Sequence, residues 1–274
     1  ARLCSDLKKI VPKMKILLGG HEVSHDPHIY LEQGICDYVI TGEGEIPFAR
    51  LIRHLQGYTE IENVESLVYL DNDRVISNSK ANDIQPLDSI PSPYKGDLLD
   101  RPFVYYEVSR GCVYKCHFCL SALDRGTRFF SMERFYKDMQ VILSKPRIKQ
   151  VKFVDRTFNL NLRRTNEIFK FLRDNGLGRN FHFEIQAELF KSSTLEILET
   201  IPAGQFQFEV GIQSIHKKTL DLNGRSCRLD KLEKNLDHIL QATDVHVHLD
   251  LIVGLEGESP EMFIESFNWA FMKR

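Results

Sequence analysis

The segment YEVSRGCVYKCHFC (residues 106–119) decides the fold and the chemistry of this chain. It places Cys112, Cys116 and Cys119 on one short loop in a C-x3-C-x2-C pattern, directly after an apolar and aromatic run. Three thiolates at this spacing can bind three irons of a four-iron cluster. A fourth cysteine is missing from this stretch, so one iron would stay open to a ligand. The pattern therefore predicts a catalytic cluster and not a simple electron carrier.

A zinc site is the main alternative for the same loop. Structural zinc takes four protein ligands, and only His117 lies close enough in the sequence to complete a Cys3His set. His117 stands between two of the cysteines, which is a poor direction for sharing their metal. A disulfide framework is disfavoured, because six cysteines in 274 residues is an ordinary number for a chain of this size.

The cysteine segment resembles the signature of the radical S-adenosylmethionine (radical SAM) superfamily. The resemblance implies that Cys112, Cys116 and Cys119 bind a 4Fe-4S cluster whose open iron takes the amino and carboxylate groups of SAM. An electron then splits the sulfonium into methionine and a 5′-deoxyadenosyl radical, which implies a low-potential donor of the flavodoxin or ferredoxin type. The resemblance also places Phe118 near the adenine, with core packing as the alternative.

Composition and charge exclude several other classes of protein. Apolar residues make up 42% of the chain, as in a globular protein with a buried core. The formal net charge is −2, from 36 basic and 38 acidic residues, so nucleic acid and membrane surfaces are not indicated as partners. The sequence contains neither a membrane-length apolar segment nor a secretory signal. We therefore expect a cytoplasmic location, where free thiols and an oxygen-sensitive cluster suit the reducing conditions.

Residues 1–57 show the pattern of alternating strands and helices. Apolar runs at 14–18 and 37–41 stop at glycine and predict buried parallel strands, while helical spacing is found at 28–33 and 46–55. This part resembles the second half of the Rossmann-like cobalamin-binding domain that precedes many radical SAM domains. The family's D-x-H-x-x-G loop, which supplies a lower axial histidine, has no counterpart here. We therefore expect cobalamin only in a longer, full-length protein.

Residues 58–101 are predicted to be a proline-containing linker with a small β-hairpin around Asp71-Asn72-Asp73. In residues 102–274, apolar strands alternate with amphipathic helices, which indicates an α/β fold with a parallel partial barrel. At about 30 residues for each strand-helix unit, this part holds about five units, where radical SAM folds typically have six. We therefore expect a fragment that is truncated at both ends. The predicted barrel strands are 103–109, 151–155, 181–187, 206–212 and 246–253.

Polar residues that follow the barrel strands are the candidate ligands, because active sites of parallel α/β folds lie at the carboxyl ends of strands. Asp155 and Arg156 stand where the superfamily contacts the SAM amino group, and capping of the next helix by Asp155 or Thr157 is the alternative. Strand alternation predicts that Glu184, Gln186 and Glu188 share one face, which favours a ligand-filled cavity. We assign Gln186 and Glu188 to ribose or methionine contacts, or else to a hydrogen bond with each other.

The fourth barrel strand ends in GIQS (residues 211–214), which resembles a superfamily segment near the ribose and carboxylate of SAM. The resemblance implies that Glu209, Gln213 and Ser214 contact SAM. Several such signals in chain order are more specific than any one of them alone.

The fifth barrel strand continues into GLEGE (residues 254–258), which resembles the GLPGE segment that the superfamily places beside the adenine. Glu256 stands where that segment has proline. The resemblance makes Gly254 and Leu255 candidates for adenine contacts. Three polar residues alternate along this strand and are candidates for a substrate or metal site, or for structural roles: His246, His248 and Asp250.

These patterns together predict a radical SAM enzyme that abstracts hydrogen from a small-molecule or other substrate, or relays a methyl group through cobalamin. The sequence assigns no catalytic side chain and does not identify the substrate. One alternative is a methylthiotransferase-like modifier of RNA, which would need a second cysteine cluster and a basic RNA-binding module. Cys4, Cys36 and Cys227 are too scattered in the sequence to indicate that cluster, although folding could bring them together. The other is a non-enzymatic interaction module that holds an iron-sulfur cluster or zinc.

Overall fold

A computed structural model describes residues 1–95, 99–123 and 126–273. The chain divides into two compact units, Ala1–Ile90 and Pro91–Arg274. Within the described residues, every helix is too short or too polar to cross a bilayer. The α/β fold class predicted from the sequence is confirmed.

The first unit is a small mixed sheet with four helices. Its strands are β1 (Leu17–Gly19), β2 (Tyr38–Ile40), β3 (Leu67–Asp71) and β4 (Arg74–Ser77). Its helices are α1 (Arg2–Ile10), α2 (His21–His25), α3 (Pro27–Glu32) and α4 (Glu45–Leu55). The strands lie in chain order, with β1 parallel to β2 and the other two pairs antiparallel.

The predicted hairpin is the β3–β4 pair, in which Asp71 lies opposite Arg74. Asn72 and Asp73 have φ angles of 47° and 60°, as a tight two-residue hairpin turn requires. The sequence placed this hairpin in the linker 58–101. Because β3 pairs with β2, the hairpin instead belongs to the sheet of the first unit, and that unit extends to Ile90.

The second unit is a five-stranded parallel sheet with helices between its strands. The five strands are β5 (Phe103–Tyr106), β8 (Gln150–Phe153), β9 (Asn180–Ile185), β10 (Phe206–Gln213) and β11 (His246–Leu251). Two short strands, β6 (Ser109–Arg110) and β7 (Arg128–Phe129), pair with each other. The helices are α5 (Met132–Leu143), α6 (Leu162–Asn175), α7 (Ser192–Leu198), α8 (Lys217–Leu222), α9 (Leu229–Ala242) and α10 (Pro260–Met272).

The sheet order β11-β10-β9-β8-β5 follows the chain, as right-handed crossovers through helices produce. All five predicted barrel strands are present, whereas α8 was not predicted. Three helices begin at a side chain that accepts a hydrogen bond from the backbone N–H three residues later, as N-caps do. These caps are Ser131 of α5, Asn161 of α6 and Ser259 of α10.

The two faces of this sheet differ in polarity, and β10 shows why. Its residues alternate strictly between buried and half-exposed, so one face is apolar and packs against helices. Phe183 of β9 lies in that core. The centroid of its ring is 4.7 Å from that of Phe153 and 4.5 Å from that of Phe158. Burying one such side chain stabilises the fold by about 1.5–3 kcal/mol. The opposite face, called here the polar face, carries Gln207, Glu209 and Gln213.

Candidate functional site

The cysteine loop lies between β6 and β7 at the carboxyl edge of the sheet. Pairing of Ser109 with Phe129 closes the loop at its base. Cys112 and Cys116 are buried, Cys119 is exposed, and all three thiols are free. Burial raises the pKa of Cys116, and the charges of Cys119 and Cys112 raise it further. The motif therefore places three free thiols on one loop at this edge of the sheet.

The described residues do not form a ready-made site for a single metal ion. Within residues 1–95, 99–123 and 126–273, no three His, Cys, Asp or Glu side chains converge on one metal position. The cysteines of an iron-sulfur cubane each bind a different iron, so they do not have to point at one metal position. The ring of His117 lies against Gly224, with Nε2 3.0 Å from the position of a Cβ built there. Zinc stays the alternative prediction for this loop.

The cysteine loop is supported by the segment Asn223–Arg225, which follows α8. The His117 N–H donates a hydrogen bond to the Asn223 carbonyl at 2.9 Å. Gly224 has a φ of 66°, and a Cβ built there would lie 2.7 Å from the Lys115 carbonyl oxygen. The sequence predicted only a loop here. The signal available was the Asn-Gly pair, since Gly both tolerates positive φ and allows close backbone approach.

Gln186 and Glu188 are both buried at the end of β9. The strand ends at Ile185, two residues earlier than predicted, and residues 187–189 form a 3-10 turn. The expected alternation therefore does not extend to Glu188, which is a correction to the sequence analysis. When the oxygen and nitrogen of the Gln186 amide are exchanged, both atoms have hydrogen-bond partners. The nitrogen then donates to Glu188 Oε1 at 3.1 Å and to the Tyr114 hydroxyl at 3.0 Å. The hydrogen bond proposed as the alternative for this pair is present, and their contact with SAM stays a prediction.

Cys227 belongs to the same polar network and not to the cysteine loop. Its thiol is buried and hydrogen-bonds to Glu188, and burial followed by this carboxylate raises the pKa of the thiol to about 12. A thiol with so high a pKa stays protonated at neutral pH, so it is neither a nucleophile nor a ready metal ligand.

Asp155 connects the end of β8 to the segment that enters the cysteine loop. Its carboxylate accepts hydrogen bonds from the Val108 N–H at 3.2 Å and from the Ser109 hydroxyl. The side chain is fully buried, and burial raises its pKa to about 7. Asn161 caps the next helix, so Asp155 is not the helix cap considered from the sequence. Arg156 is exposed, and the assignment of both residues to SAM stays a prediction.

The GIQS and GLEGE segments meet through a part-buried hydrogen bond. Ser214 is fully buried and its hydroxyl donates to Glu258 Oε1 at 2.6 Å, while Glu258 Oε2 is buried without a partner in the described chain. Gln213 has a φ of 68°, an uncommon value for a residue with a side chain. Glu209 lies on the polar face, where its carboxylate is 3.0 Å from Nε2 of His182.

Gly254 and Leu255 form the turn after β11. Gly254 has a φ of 84°, and Leu255 is buried. The Asn223 amide donates to the Glu256 carbonyl at 3.0 Å, so this turn is tied to the segment that supports the cysteine loop. The Phe118 side chain is 38% exposed, so it is available to a ligand and is not packed in the core.

The polar face of the sheet continues across β9 and β11. The Nε2 atoms of His246 and His248 are 2.7 Å apart, and both rings are exposed. Burial raises the pKa of Glu184, and Arg156 opposes this rise. Burial raises the pKa of Asp250, and the charge of Glu209 raises it further. This face carries ionisable groups of both signs and suits a polar ligand.

A model of the radical SAM superfamily matches residues 106–270 of this chain. The chain belongs to the radical SAM superfamily. The resemblance inferred from the cysteine segment is therefore confirmed, and the matched range extends from the loop through β11 to α10.

The chain is also similar to particular methyltransferases. It is 27% identical over 268 residues to an uncharacterized methyltransferase of Pyrococcus horikoshii, covering 93% of this chain and 57% of the relative. It is 22% identical over 278 residues to the cobalamin-dependent radical SAM methyltransferase TokK of Streptomyces tokunonensis, covering 94% and 40%. These matches include both units and support the predicted resemblance to the cobalamin-domain branch.

The fold is that of a solved radical SAM methyltransferase, TsrM from Kitasatospora setae. The TM-score is 0.80 with 15% sequence identity, and the alignment covers 99% of this chain and 56% of TsrM. At that identity the likeness shows the fold alone. The chain spans about half the length of the curated relatives it matches.

Proposed function

We propose that this chain forms the cluster-binding and SAM-binding part of a radical SAM enzyme. Cys112, Cys116 and Cys119 would hold the 4Fe-4S cluster, which supplies the electron that divides SAM into methionine and a 5′-deoxyadenosyl radical. The observation that carries the proposal is the grouping of three free thiols on one loop, at the carboxyl edge of a parallel sheet. Ligands of parallel α/β folds bind at that edge.

The strand ends beside the loop supply the groups that would bind SAM. Glu258 Oε2 is buried without a hydrogen-bond partner in the described chain, and so is Arg225 Nε. Buried polar atoms are normally hydrogen-bonded, so such atoms mark places where a polar ligand fits. We assign SAM contacts to the residues at these strand ends: Phe118, Asp155, Arg156, Gln186, Glu188, Glu209, Gln213, Ser214, Gly254 and Leu255.

Methyl transfer with cobalamin in the full-length protein is the reaction class we favour. The relatives named above are described as methyltransferases, and they align with both units. In the first unit, Gly20 and Gly42 follow β1 and β2 with φ angles of 102° and 75°, and a Cβ built at either meets no heavy atom within 4 Å. Open glycine turns at strand ends allow a ligand to approach the backbone closely. The residues present therefore fit a nucleotide-like cofactor at this edge.

The remaining parts of the proposal concern partners and location. We propose a low-potential electron donor of the flavodoxin or ferredoxin type, a small-molecule substrate bound on the polar face, and a reducing cytoplasmic setting. We do not propose the methylthiotransferase alternative. Cys4 and Cys36 are neighbours in the first unit, whereas Cys227 is engaged with Glu188 in the second.

Product analysis tests the proposal. The full-length protein is reconstituted anaerobically with iron and sulfide and mixed with dithionite and SAM. We expect release of 5′-deoxyadenosine and methionine, and loss of both products when Cys112, Cys116 or Cys119 is replaced by alanine. Cys36→Ala is the matched control, because Cys36 is also buried and free but lies in the first unit. An intact cluster that releases neither product would refute the proposed function.

A further inference from the structure

Two histidine rings on β11 lie with their nitrogen atoms together on the polar face. His246 and His248 are separated by one residue, so both side chains project from the same face of the strand. Their Nε2 atoms are 2.7 Å apart, and the ring centroids are 4.6 Å apart with an interplanar angle of 73°. The two exposed rings therefore direct their Nε2 atoms toward each other and not toward separate water molecules.

A contact from the neighbouring strand assigns the protons of this pair. Gln207 of β10 lies opposite His246 in the ladder, and its amide nitrogen is 3.3 Å from His248 Nε2. An amide nitrogen only donates, so His248 Nε2 is an acceptor, and His246 Nε2–H donates to the same atom. The His248 ring therefore has a lone pair on Nε2. His246 reaches the same form when its proton moves to Nδ1, with no change in charge.

Stability does not account for the pairing of these rings, whereas the charges around them favour a cation. A hydrogen bond between exposed groups replaces equally good bonds to water. Glu209 lies opposite His248 in the ladder, and Asp250 follows on the same face of β11. Glu209 is held from the other side by the buried His182, whose Nε2 is 3.0 Å from the Glu209 carboxylate. Lys152 belongs to β8, three strands away from β11. Two neutral nitrogens with carboxylates beside them suit a positive ion.

We propose that His246 and His248 form a two-point chelate for a divalent transition-metal ion of the zinc class. Neutral imidazole is a ligand that such ions accept. A tetrahedral zinc with Zn–N distances of about 2.0–2.1 Å holds two nitrogens about 3.3 Å apart, so the rings have to separate by about 0.6 Å. Among the residues that the structure describes, no set of three His, Cys, Asp or Glu converges on one metal position. Water or the oxygen atoms of a ligand would complete the coordination. The inference requires neither the iron-sulfur cluster nor SAM.

Zinc binding by the full-length protein tests the chelate. Equilibrium dialysis over a range of free zinc concentrations gives binding curves for the wild type, His246→Gln and His248→Gln. Both substitutions are at exposed positions, so the fold is retained. We expect half-saturation of this site to move to a zinc concentration at least about tenfold higher in each variant, because even the loss of an outer-shell partner costs about 10–100-fold in metal affinity. The cysteines are the same in all these proteins, so any zinc that they bind cancels in the comparison.

The matched control is His238→Gln. His238 is also partly exposed in this unit, but its Nε2 faces the carboxylate of Glu199 at 2.8 Å and not a second ring. We expect its binding curve to overlap that of the wild type. The variant with both His246 and His248 replaced should lose less than the sum of the two single losses, because either substitution already breaks the chelate. Curves that are unchanged in both single variants would overturn the inference. A loss confined to one of the two histidines, losses that add in the double variant, or an equal loss in His238→Gln would overturn it as well.

Discussion

Replacing Gly224 with alanine tests how closely the segment Asn223–Arg225 supports the cysteine loop. Gly224 has a φ of 66°, and a Cβ there would lie 2.7 Å from the Lys115 carbonyl oxygen and 3.0 Å from His117 Nε2. Both contacts are to residues between the cysteines of the motif. The substitution therefore acts on the geometry of the thiols without changing any of them.

The magnitude follows from a matched pair of glycines. Gly178 has a similar φ of 75°, but a Cβ built there meets nothing within 4 Å. Alanine at either position carries the cost of left-handed backbone, about 1–2 kcal/mol. At Gly224 the carbonyl of Lys115 must also move to reach an ordinary contact distance, and such overpacking costs about 1–3 kcal/mol more. We therefore expect Gly224→Ala to lower the free energy of unfolding by about 2–5 kcal/mol and Gly178→Ala by about 1–2 kcal/mol.

Urea unfolding of the cluster-free protein measures these free energies, and iron analysis after reconstitution measures the consequence for the site. We expect Gly178→Ala to bind as much iron as the wild type and Gly224→Ala to bind less. Equal destabilisation of the two variants together with equal iron content would show that the loop does not depend on this contact, and would refute the reasoning.

Three further predictions concern the core and the ionisable groups. The pKa of Asp155 is raised to about 7 in the fold, so as the pH rises the unfolded chain releases this proton first. The free energy of unfolding should therefore fall between pH 4 and pH 7, by about 4 kcal/mol in total. Asp155→Asn should flatten the pH dependence of urea unfolding over that range, and an unchanged slope would contradict this. Phe183→Ala should lower the free energy of unfolding by about 3–5 kcal/mol. Leu177→Ala, at a residue that is 66% exposed, should change it by less than about 0.5 kcal/mol. Similar losses in the two variants would contradict the placement of Phe183 in the core. Burial lowers the pKa of His182, and the Glu209 carboxylate opposes this lowering. Glu209→Gln should therefore lower the His182 pKa further in an NMR titration. A rise in that pKa would contradict the ion pair between His182 and Glu209.

The elements that the sequence predicted well are those whose pattern depends on near neighbours. The strand β10 was predicted at residues 206–212 and is present at Phe206–Gln213. The cysteine motif lies within one loop, and the segment that contains Cys112, Cys116 and Cys119 was sufficient to predict the radical SAM superfamily. The β3–β4 hairpin was predicted from Asn72 and Asp73, which are suited to positive φ.

The features that could not be predicted depend on contacts between distant parts of the chain. Asn223 lies more than a hundred residues beyond His117 in the sequence, and only the fold brings the two together. The pairing of β3 with β2 likewise joins segments that no local period connects. At the end of β9, a 3-10 turn at Ala187–Leu189 replaces the last residues of the predicted strand. A local alternation rule has no information about such a turn.

The electron paramagnetic resonance spectrum of the reduced full-length protein, recorded before and after addition of SAM, tests the central claim most directly. The account predicts the signal of a reduced 4Fe-4S cluster, with about four irons per chain, that changes when SAM binds the open iron. The absence of a cluster signal in iron-loaded protein, or a cluster signal that SAM leaves unchanged, would contradict it.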